Sequence, residues 1–297
     1  MKKHYIIPIF VPHLGCPHAC VFCNQRKITN APTGINIDNV KHTVERYLGY
    51  FREDSFIEIA FYGGSFTAID SRIQNDLLKI ALDYKENKII NEIRISTRPD
   101  AINDKILNNL KRYKVDTIEL GVQSLDDRVL HKSGRGHTSS QVYDAVELVQ
   151  SFGFKLGLQM MLGLPEDDAD KILKTTFEFI RLRPDCVRIY PTLVIKNTYL
   201  EKLTKLGKYR PLSLIEAVDI SALSLMLFYL NNINVIRVGL QPTENIQLGK
   251  DVLSGPFHPA FRQLVESHIY NIILDFYFRD KNIRTQGSTL KIYSNEK

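Results

Sequence analysis

Cys16-Pro17-His18-Ala19-Cys20-Val21-Phe22-Cys23 places three of the chain's four cysteines within eight residues. The gaps are three and then two positions, and three thiolates so spaced on one loop can hold three corners of a cubic iron–sulfur cluster. The fourth iron then lacks a protein ligand and is open to a small molecule. The alternative chemistry is a structural zinc site, which needs four protein ligands in a closed tetrahedron. Its fourth ligand would have to be His13, His18 or the distant Cys186, and the local spacing is not that of a usual finger. Phe22, just before the last cysteine, suits a loop that shields a cluster from water. The spacing favours a 4Fe–4S cluster on Cys16, Cys20 and Cys23, with zinc as the rival.

The elements that must position this loop follow a regular rhythm. The apolar run 5–11 reads as a strand ending at Pro12, so the cysteine loop comes directly after the first strand. Asp38 is expected as a helix N-cap, with Val40, Val44, Tyr47, Leu48 and Phe51 recurring at helical spacing behind it. Further strands are expected over 56–62, 92–97, 117–122, 155–161 and 186–191. Helices are expected from about 70, over 103–113 and 140–152, and around 168–183. Six strand–helix units argue for a parallel sheet with helices outside. They are too few for a complete eight-unit barrel, so an open, partial (β/α)6 TIM-like barrel is expected over residues 1–195. A doubly wound sheet is the fold-level rival. The notable motifs fall just after expected strands, where barrel enzymes place their chemistry.

After Pro191 the rhythm changes. A basic helix or loop over 198–209 precedes a helix at 213–230, a strand at 235–240, a turn at Gly255-Pro256, an amphipathic stretch at 260–278 and a strand-like piece at 290–293. Residues 196–297 are expected as an α/β extension packed on the barrel.

Bulk properties bound the rest. Hydrophobic content of 44% and charge of 24% are ordinary for a globular chain, and 297 residues suffice for a large core. Four cysteines, three of them clustered, make no disulfide framework and point to a reducing compartment. Lys2-Lys3, an apolar stretch and Leu14-Gly15-Cys16 faintly mimic a lipoprotein signal, but Pro8, Pro12 and His13 break that stretch. No run reaches 18 apolar residues, so a cytoplasmic location without a membrane partner is expected. A net charge of +6 permits a nucleic-acid partner without requiring one. No Ser–His–Asp order, Walker loop or paired-carboxylate arrangement stands out.

C-x3-C-x-F-C followed by Gly63-Gly64-Ser65-Phe66-Thr67 resembles the radical S-adenosylmethionine (radical SAM) superfamily. Arg98-Pro99-Asp100, Glu119-Leu120-Gly121-Val122-Gln123-Ser124, Arg135-Gly136-His137-Thr138 and Tyr190-Pro191-Thr192-Leu193-Val194 narrow that resemblance. Across roughly residues 5–240 the chain is similar to the radical-SAM half of the Elongator catalytic subunit and its stand-alone bacterial relatives. The resemblance implies an enzyme that cleaves S-adenosyl-L-methionine reductively at a 4Fe–4S cluster, giving a 5′-deoxyadenosyl radical. It also implies a reductant such as flavodoxin or ferredoxin and a tRNA base as substrate. No acetyltransferase domain follows in these 297 residues, so the Elongator carboxymethyl chemistry on uridine is not expected to transfer unchanged. A radical SAM enzyme acting on a small molecule such as a porphyrin, as in oxygen-independent coproporphyrinogen oxidase, is the alternative. A non-catalytic metal-bearing RNA-binding module is a third reading.

The resemblance also implies cofactor contacts. Gly63 and Gly64 would let the backbone approach the methionine amine, with Ser65 and Thr67 of the same motif beside them. Glu119 would serve the amine or the ribose, although a buried salt bridge explains a mid-strand carboxylate equally simply. Gln123 and Ser124 would line the floor. Arg135 would pair with the methionine carboxylate, for which a guanidinium fork is well shaped. Gln159 would reach ribose hydroxyls, and Met161 with Leu162 would wall the adenine, unless they serve only the core. Arg98 points to the barrel mouth or pairs with Asp100. Tyr62 and Tyr190 are substrate-facing aromatics or strand core, and His13, His18 and His137 default to solvated loops. Cys186 reads as a buried thiol. Lys202, Lys205, Lys208 and Arg210, with Tyr199 and Tyr209, offer a path for RNA or a merely solvated face.

Overall fold

The computed structural model describes residues 3–11, 16, 18–24, 37–52, 54–243 and 246–280. Strands β1 (His4–Val11), β2 (Phe56–Gly63), β3 (Glu92–Thr97), β4 (Thr117–Gln123), β5 (Lys155–Leu162) and β6 (Cys186–Pro191) pair in parallel in that order. Helices α1 (Ile37–Leu48), α2 (Ser71–Glu86), α3 (Asp104–Arg112), α4 (Asp127–Lys132), α5 (Ser139–Ser151) and α6 (Ala169–Leu182) fill the crossovers. Their starts are fixed by side chains that satisfy orphan backbone donors: Asp70 caps α2, Asn103 caps α3, Asp168 caps α6, and Thr138 with Gln141 closes a capping box on α5. Asp38 does not cap α1 as expected. That helix already starts at Ile37, so Asp38 lies in its first turn, where a carboxylate favours the helix dipole.

Beyond β6 the order differs from the expectation of six strands plus an appendage. A short ribbon pairs β7 (Val194–Ile195) antiparallel with β9 (Val252–Ser254). Strand β8 (Asn234–Val238) lies parallel to β6 and becomes the seventh strand of the main sheet. Helix α7 (Tyr199–Lys205) lies between, and α8 (Leu214–Leu230) and α9 (Phe261–Asp280) pack on each other and on the strand. The expected strand-like piece at 290–293 lies outside the described residues. So does His13.

Two-residue alternation sorts the strands into two unlike faces. Ile59, Phe61, Ile93, Ile95, Ile118, Leu120, Leu158, Met160, Val187 and Ile189 are buried in the main core with the helices. The alternate positions carry Glu58, Tyr62, Arg94, Glu119, Gln159 and Arg188, which meet one another. Glu119 Oε1 accepts from Arg94 Nη1 (2.6 Å) and Arg188 Nη2 (3.0 Å), while Oε2 accepts from Arg188 Nε (2.7 Å) and Gln159 Nε2 (2.9 Å). Arg94 Nε donates to Glu58 at 2.9 Å, and Arg188 Nη2 to the Tyr62 hydroxyl at 2.7 Å. In a flat sheet β2 and β6 would lie four inter-strand spacings apart, about 19 Å, beyond the reach of one Arg–Tyr contact. The contact exists because the sheet curls into a half-barrel, and these side chains plug its interior.

Burial alone would raise the Glu119 pKa, but the Arg188 and Arg94 guanidiniums more than offset it and hold the carboxyl below its ordinary value of 4.5. Its contribution to stability is therefore present above that value and is lost as pH falls below it. Gly157 makes the room: a Cβ there would meet Glu119 Cγ at 2.6 Å and Cys186 Sγ at 3.1 Å. Denaturant unfolding of the cluster-free protein at pH 7 should show Glu119→Gln destabilised by about 3–5 kcal/mol, because two buried cations lose a shared partner. Gly157→Ala should cost about 1–3 kcal/mol by overpacking. A Glu119→Gln protein within about 1 kcal/mol of wild type would show that the carboxylate does not hold the plug together.

Candidate cluster and cofactor site

The cysteine loop follows β1 and rests on a second loop, Ser133–His137. The Val21 amide donates to the Ser133 carbonyl at 3.0 Å. Gly134 has a positive φ of 64°, and a Cβ on it would crowd the Ala19 carbonyl at 3.3 Å. Gly136, at φ 71°, lies flat against the His18 ring, and any side chain there would strike it. From the other side, the Leu200 amide at the start of α7 donates to the Val21 carbonyl at 2.8 Å, and Val21, Val194 and Leu200 form a small apolar cluster with Phe22, Leu203 and Tyr209. The loop is clamped between a glycine-rich turn and a helix.

Cys20 is buried, whereas Cys16 and Cys23 are half-buried. Two guanidiniums face its sulfur: Arg135 Nη1 lies 3.2 Å and Arg98 Nη1 3.9 Å from Cys20 Sγ. Arg98 is forked onto Asp100 (Nε–Oδ1 2.9 Å, Nη2–Oδ2 3.2 Å), and its Nη2 also donates to the Arg135 carbonyl. Arg135 Nη2 donates to the Gly121 carbonyl, and its Nε is buried without a partner. Neither arginine is exposed. His137 is also buried, not solvated as expected: its Nε2 faces the Val122 carbonyl at 3.3 Å. Burial, then the Arg135 and Arg98 charges, push its imidazole down to about 3, so it is neutral at physiological pH.

The remaining expected site residues divide. Gly63 has φ 111°, and a Cβ would collide with the Val11 carbonyl, so glycine is required for β2 to leave the sheet beside the cysteine loop. The Gly64 amide points to the same carbonyl at 3.4 Å. Ser65 and Thr67 spend their hydroxyls on Thr97 (2.8 and 2.6 Å), tying the β2 turn to β3. Ser124 accepts from the Asp126 amide at 3.2 Å and is buried. Gln123 is different. It sits at a register shift in β4 with φ 77°, a strained choice for a residue with a side chain, and its buried Oε1 has no partner. Its Nε2 and Arg135 Nη2 both lie over Gly121, 3.2 and 3.5 Å from where a Cβ would sit, so a side chain there would press on both.

Two expectations need correction. Leu162 does not face the barrel interior: alternation places it with Leu158 and Met160 in the apolar core, whereas Met161 is half-buried on the opposite face. Tyr209 does not stack outward; it belongs to the apolar cluster under the cysteine loop and donates its hydroxyl to the Gly163 carbonyl at 2.6 Å. Glu119 and Gln159 lie in the plug, where all four acceptor positions of the carboxylate are occupied. Lys205 pairs with Glu201 and Arg210 with Glu216, while Tyr199 stays exposed. Sequence reasoning missed Arg94, Arg188 and Glu58. Their signal was available: charged residues at the same strand parity as Glu119 and Gln159, in otherwise apolar strands.

Three thiols on one clamped loop, with guanidiniums at the most buried sulfur, suit anionic sulfur ligands; a buried orphan acceptor nearby suits a donor-bearing small molecule. The donor set thus suits a cluster and a cofactor by its chemistry, while among the described residues no three cysteine, histidine or acidic side chains are already gathered as a metal-binding group.

Comparisons with known proteins give the family. The profile of the radical SAM superfamily matches residues 10–177, and that of the Radical_SAM C-terminal domain matches 184–271. The tRNA uridine(34) acetyltransferase of Methanocaldococcus jannaschii is 30% identical over 255 residues, covering 72% of this chain and 47% of its own. Elongator complex protein 3 of Homo sapiens is 28% identical over 202 residues, covering 61% and 37%. The chain thus spans about half or less of the length of these curated relatives. Among solved structures, the N-terminally deleted Elp3 of Methanocaldococcus infernus superposes with a TM-score of 0.67 at 21% identity, covering 96% of this chain and 64% of that one. Coproporphyrinogen III oxidase from Escherichia coli gives 0.55 at 15%, covering 77% and 53%. With the half-barrel, the cysteine loop beyond its first strand and a superfamily match over more than half its length, the chain belongs to the radical SAM superfamily of enzymes.

Proposed function

We propose that Cys16, Cys20 and Cys23 hold three irons of a 4Fe–4S cluster, that S-adenosylmethionine binds beside it at the carboxyl ends of β2, β4 and β5, and that the substrate is a tRNA base. The observation that carries the reading is the clamped cysteine loop with Arg98 and Arg135 at Cys20 Sγ. When bound, the cluster supplies the electron that breaks a sulfonium C–S bond, leaving methionine and a 5′-deoxyadenosyl radical. The chain's own residues bind and orient. Gly63 and Gly64 give a backbone edge that a methionine amine can approach. Gln123 Oε1 offers a buried acceptor to an ammonium or a ribose hydroxyl, and the orphan Nε of Arg135 offers a donor. Phe22, Leu200 and Leu203 keep water from the underside of the loop. The base substrate is supported by the relatives that modify tRNA uridine(34), and a ferredoxin or flavodoxin is the kind of reductant this chemistry needs.

The cysteine assignment is tested by anaerobic reconstitution. Cys16→Ala, Cys20→Ala and Cys23→Ala should each lose most iron and sulfide, whereas Cys186→Ala, whose thiol sits in the plug beside Arg94, should keep both. Wild-type protein holding one zinc and no sulfide would overturn the reading. Gln123→Gly should move stability and binding in opposite directions. Glycine accepts a φ of 77°, so unfolding should cost about 1 kcal/mol more. Loss of the acceptor should weaken S-adenosylmethionine binding about tenfold. Unchanged binding would remove Gln123 from the cofactor site. For the substrate, reconstituted enzyme incubated anaerobically with extracted tRNA, S-adenosylmethionine and a reductant should change the mass of one nucleoside. Absence of that change, together with no saturable tRNA binding at physiological salt, would point to a small-molecule substrate.

A further inference from the structure

The three cysteines are not equivalent. Cys16 Sγ faces the His18 carbonyl at 3.6 Å, an acceptor within its own loop. Cys20 Sγ instead faces two cationic donors, Arg135 Nη1 at 3.2 Å and Arg98 Nη1 at 3.9 Å. Of these Arg98 is the better fixed. Its other nitrogens are held by both oxygens of Asp100 and by the Arg135 carbonyl, and the residue is 4% exposed. Asp100 is surrounded in turn: His18 Nε2 approaches at 3.7 Å and His137 Nδ1 at 3.9 Å. Around one sulfur the fold thus gathers two guanidiniums against one carboxylate.

Resting on the cluster assignment above, we propose that Arg98 is a positioning residue that sets the reduction potential of the cluster through Cys20, with Asp100 moderating its charge. A reduced cluster carries one more negative charge than an oxidised one. A buried cation and an N–H directed at a ligand sulfur therefore stabilise the reduced form more and raise the midpoint potential. The carboxylate beside that cation acts in the opposite sense. A purely structural Arg98–Asp100 pair would respond alike to loss of either member, whereas an electrostatic device responds with opposite signs.

The test is a potentiometric titration of reconstituted wild type, Arg98→Gln and Asp100→Asn, read from the cluster's absorbance and paramagnetic signals without S-adenosylmethionine. Arg98→Gln should make reduction about tenfold less favourable, a fall of about 59 mV for one electron. Asp100→Asn leaves the guanidinium unopposed and should shift the potential upward. Full iron content in Arg98→Gln with an unshifted potential, or shifts of the same sign in both variants, overturns the proposal. Should Arg98→Gln fail to assemble, the Asp100→Asn sign decides: a rise sustains the proposal, and no change or a fall overturns it. If wild type assembles no cluster, the assignment of the cysteines falls and this inference with it; a loaded wild type with the wrong signs sinks the inference alone.

Discussion

Glu119, shared between Arg94 and Arg188, is the constraint on which the half-barrel depends. A parallel sheet buried on its outer face by helices can be flat, as in doubly wound folds, or curled, and the strand–helix rhythm does not choose between them. The choice is made on the inner face, where strands β2, β3, β4, β5 and β6 each bring a polar side chain to one cluster. Each of those groups would be costly to bury alone; Glu58, Arg94 and Glu119 meet across neighbouring strands, whereas Arg188 on β6 reaches Glu119 two strands away and Tyr62 four strands away. The ion pairs need not add net stability over an apolar filling to have this effect. They specify curvature through Arg188, which in a flat sheet would lie too far from Tyr62, four strands away, to touch it.

Curvature then sets the geometry of the mouth. At the carboxyl ends of the strands neighbouring segments meet: Gly63 lies against Val11, Ser65 and Thr67 bond to Thr97, and Gln123 and Arg135 lie over Gly121. Glycines stand where a side chain would keep two of these segments apart. The loop bearing Arg135 can therefore lie directly beneath the cysteine loop, and α7 closes over it from the far side. The basic segment that follows β7 is thereby spoken for on one face. Leu200 and Tyr209 serve the cysteine loop, and only the opposite face, with Tyr199, is left to meet a partner.

What the sequence disclosed follows from this division. The cysteine triad, the glycine pair after β2 and the outer-face periodicity were legible because each is a local pattern with a local cause. Most strand and helix ends fell within a residue or two of expectation, since Asp70, Asn103, Thr138, Asp168 and Ser213 cap where their side chains predict. The seventh strand was foreseen as a strand but not as part of the main sheet, because pairing across a long connection leaves no local trace. Glu119, Gln159 and Tyr62 were each noticed, yet Glu58, Arg94 and Arg188, which join them into one network, were not, although all lie on the same face of the sheet. The burial of His137 was hidden for the same reason: besides its loop neighbour Arg135, its surroundings come from Val122 of β4 and from Arg98 and Asp100 after β3, all distant in sequence.

The two polar systems of the barrel differ in their charge balance, and the difference fits what each must face. In the plug, Arg94 and Arg188 are matched by Glu58 and Glu119, so the interior presents little net charge to anything entering from above. At the mouth, Arg98 pairs with Asp100 while Arg135 has no carboxylate partner among the described residues, and His137 is held neutral by burial and by those same cations. A buried excess of positive charge is unfavourable until an anion joins it. The Cys20 sulfur is the ligand atom nearest to that charge, and the iron–sulfur cluster proposed there would bring negative charge to the same position. The mouth thus carries the charge that the proposed anionic group at Cys20 would meet, while the floor beneath is balanced within itself.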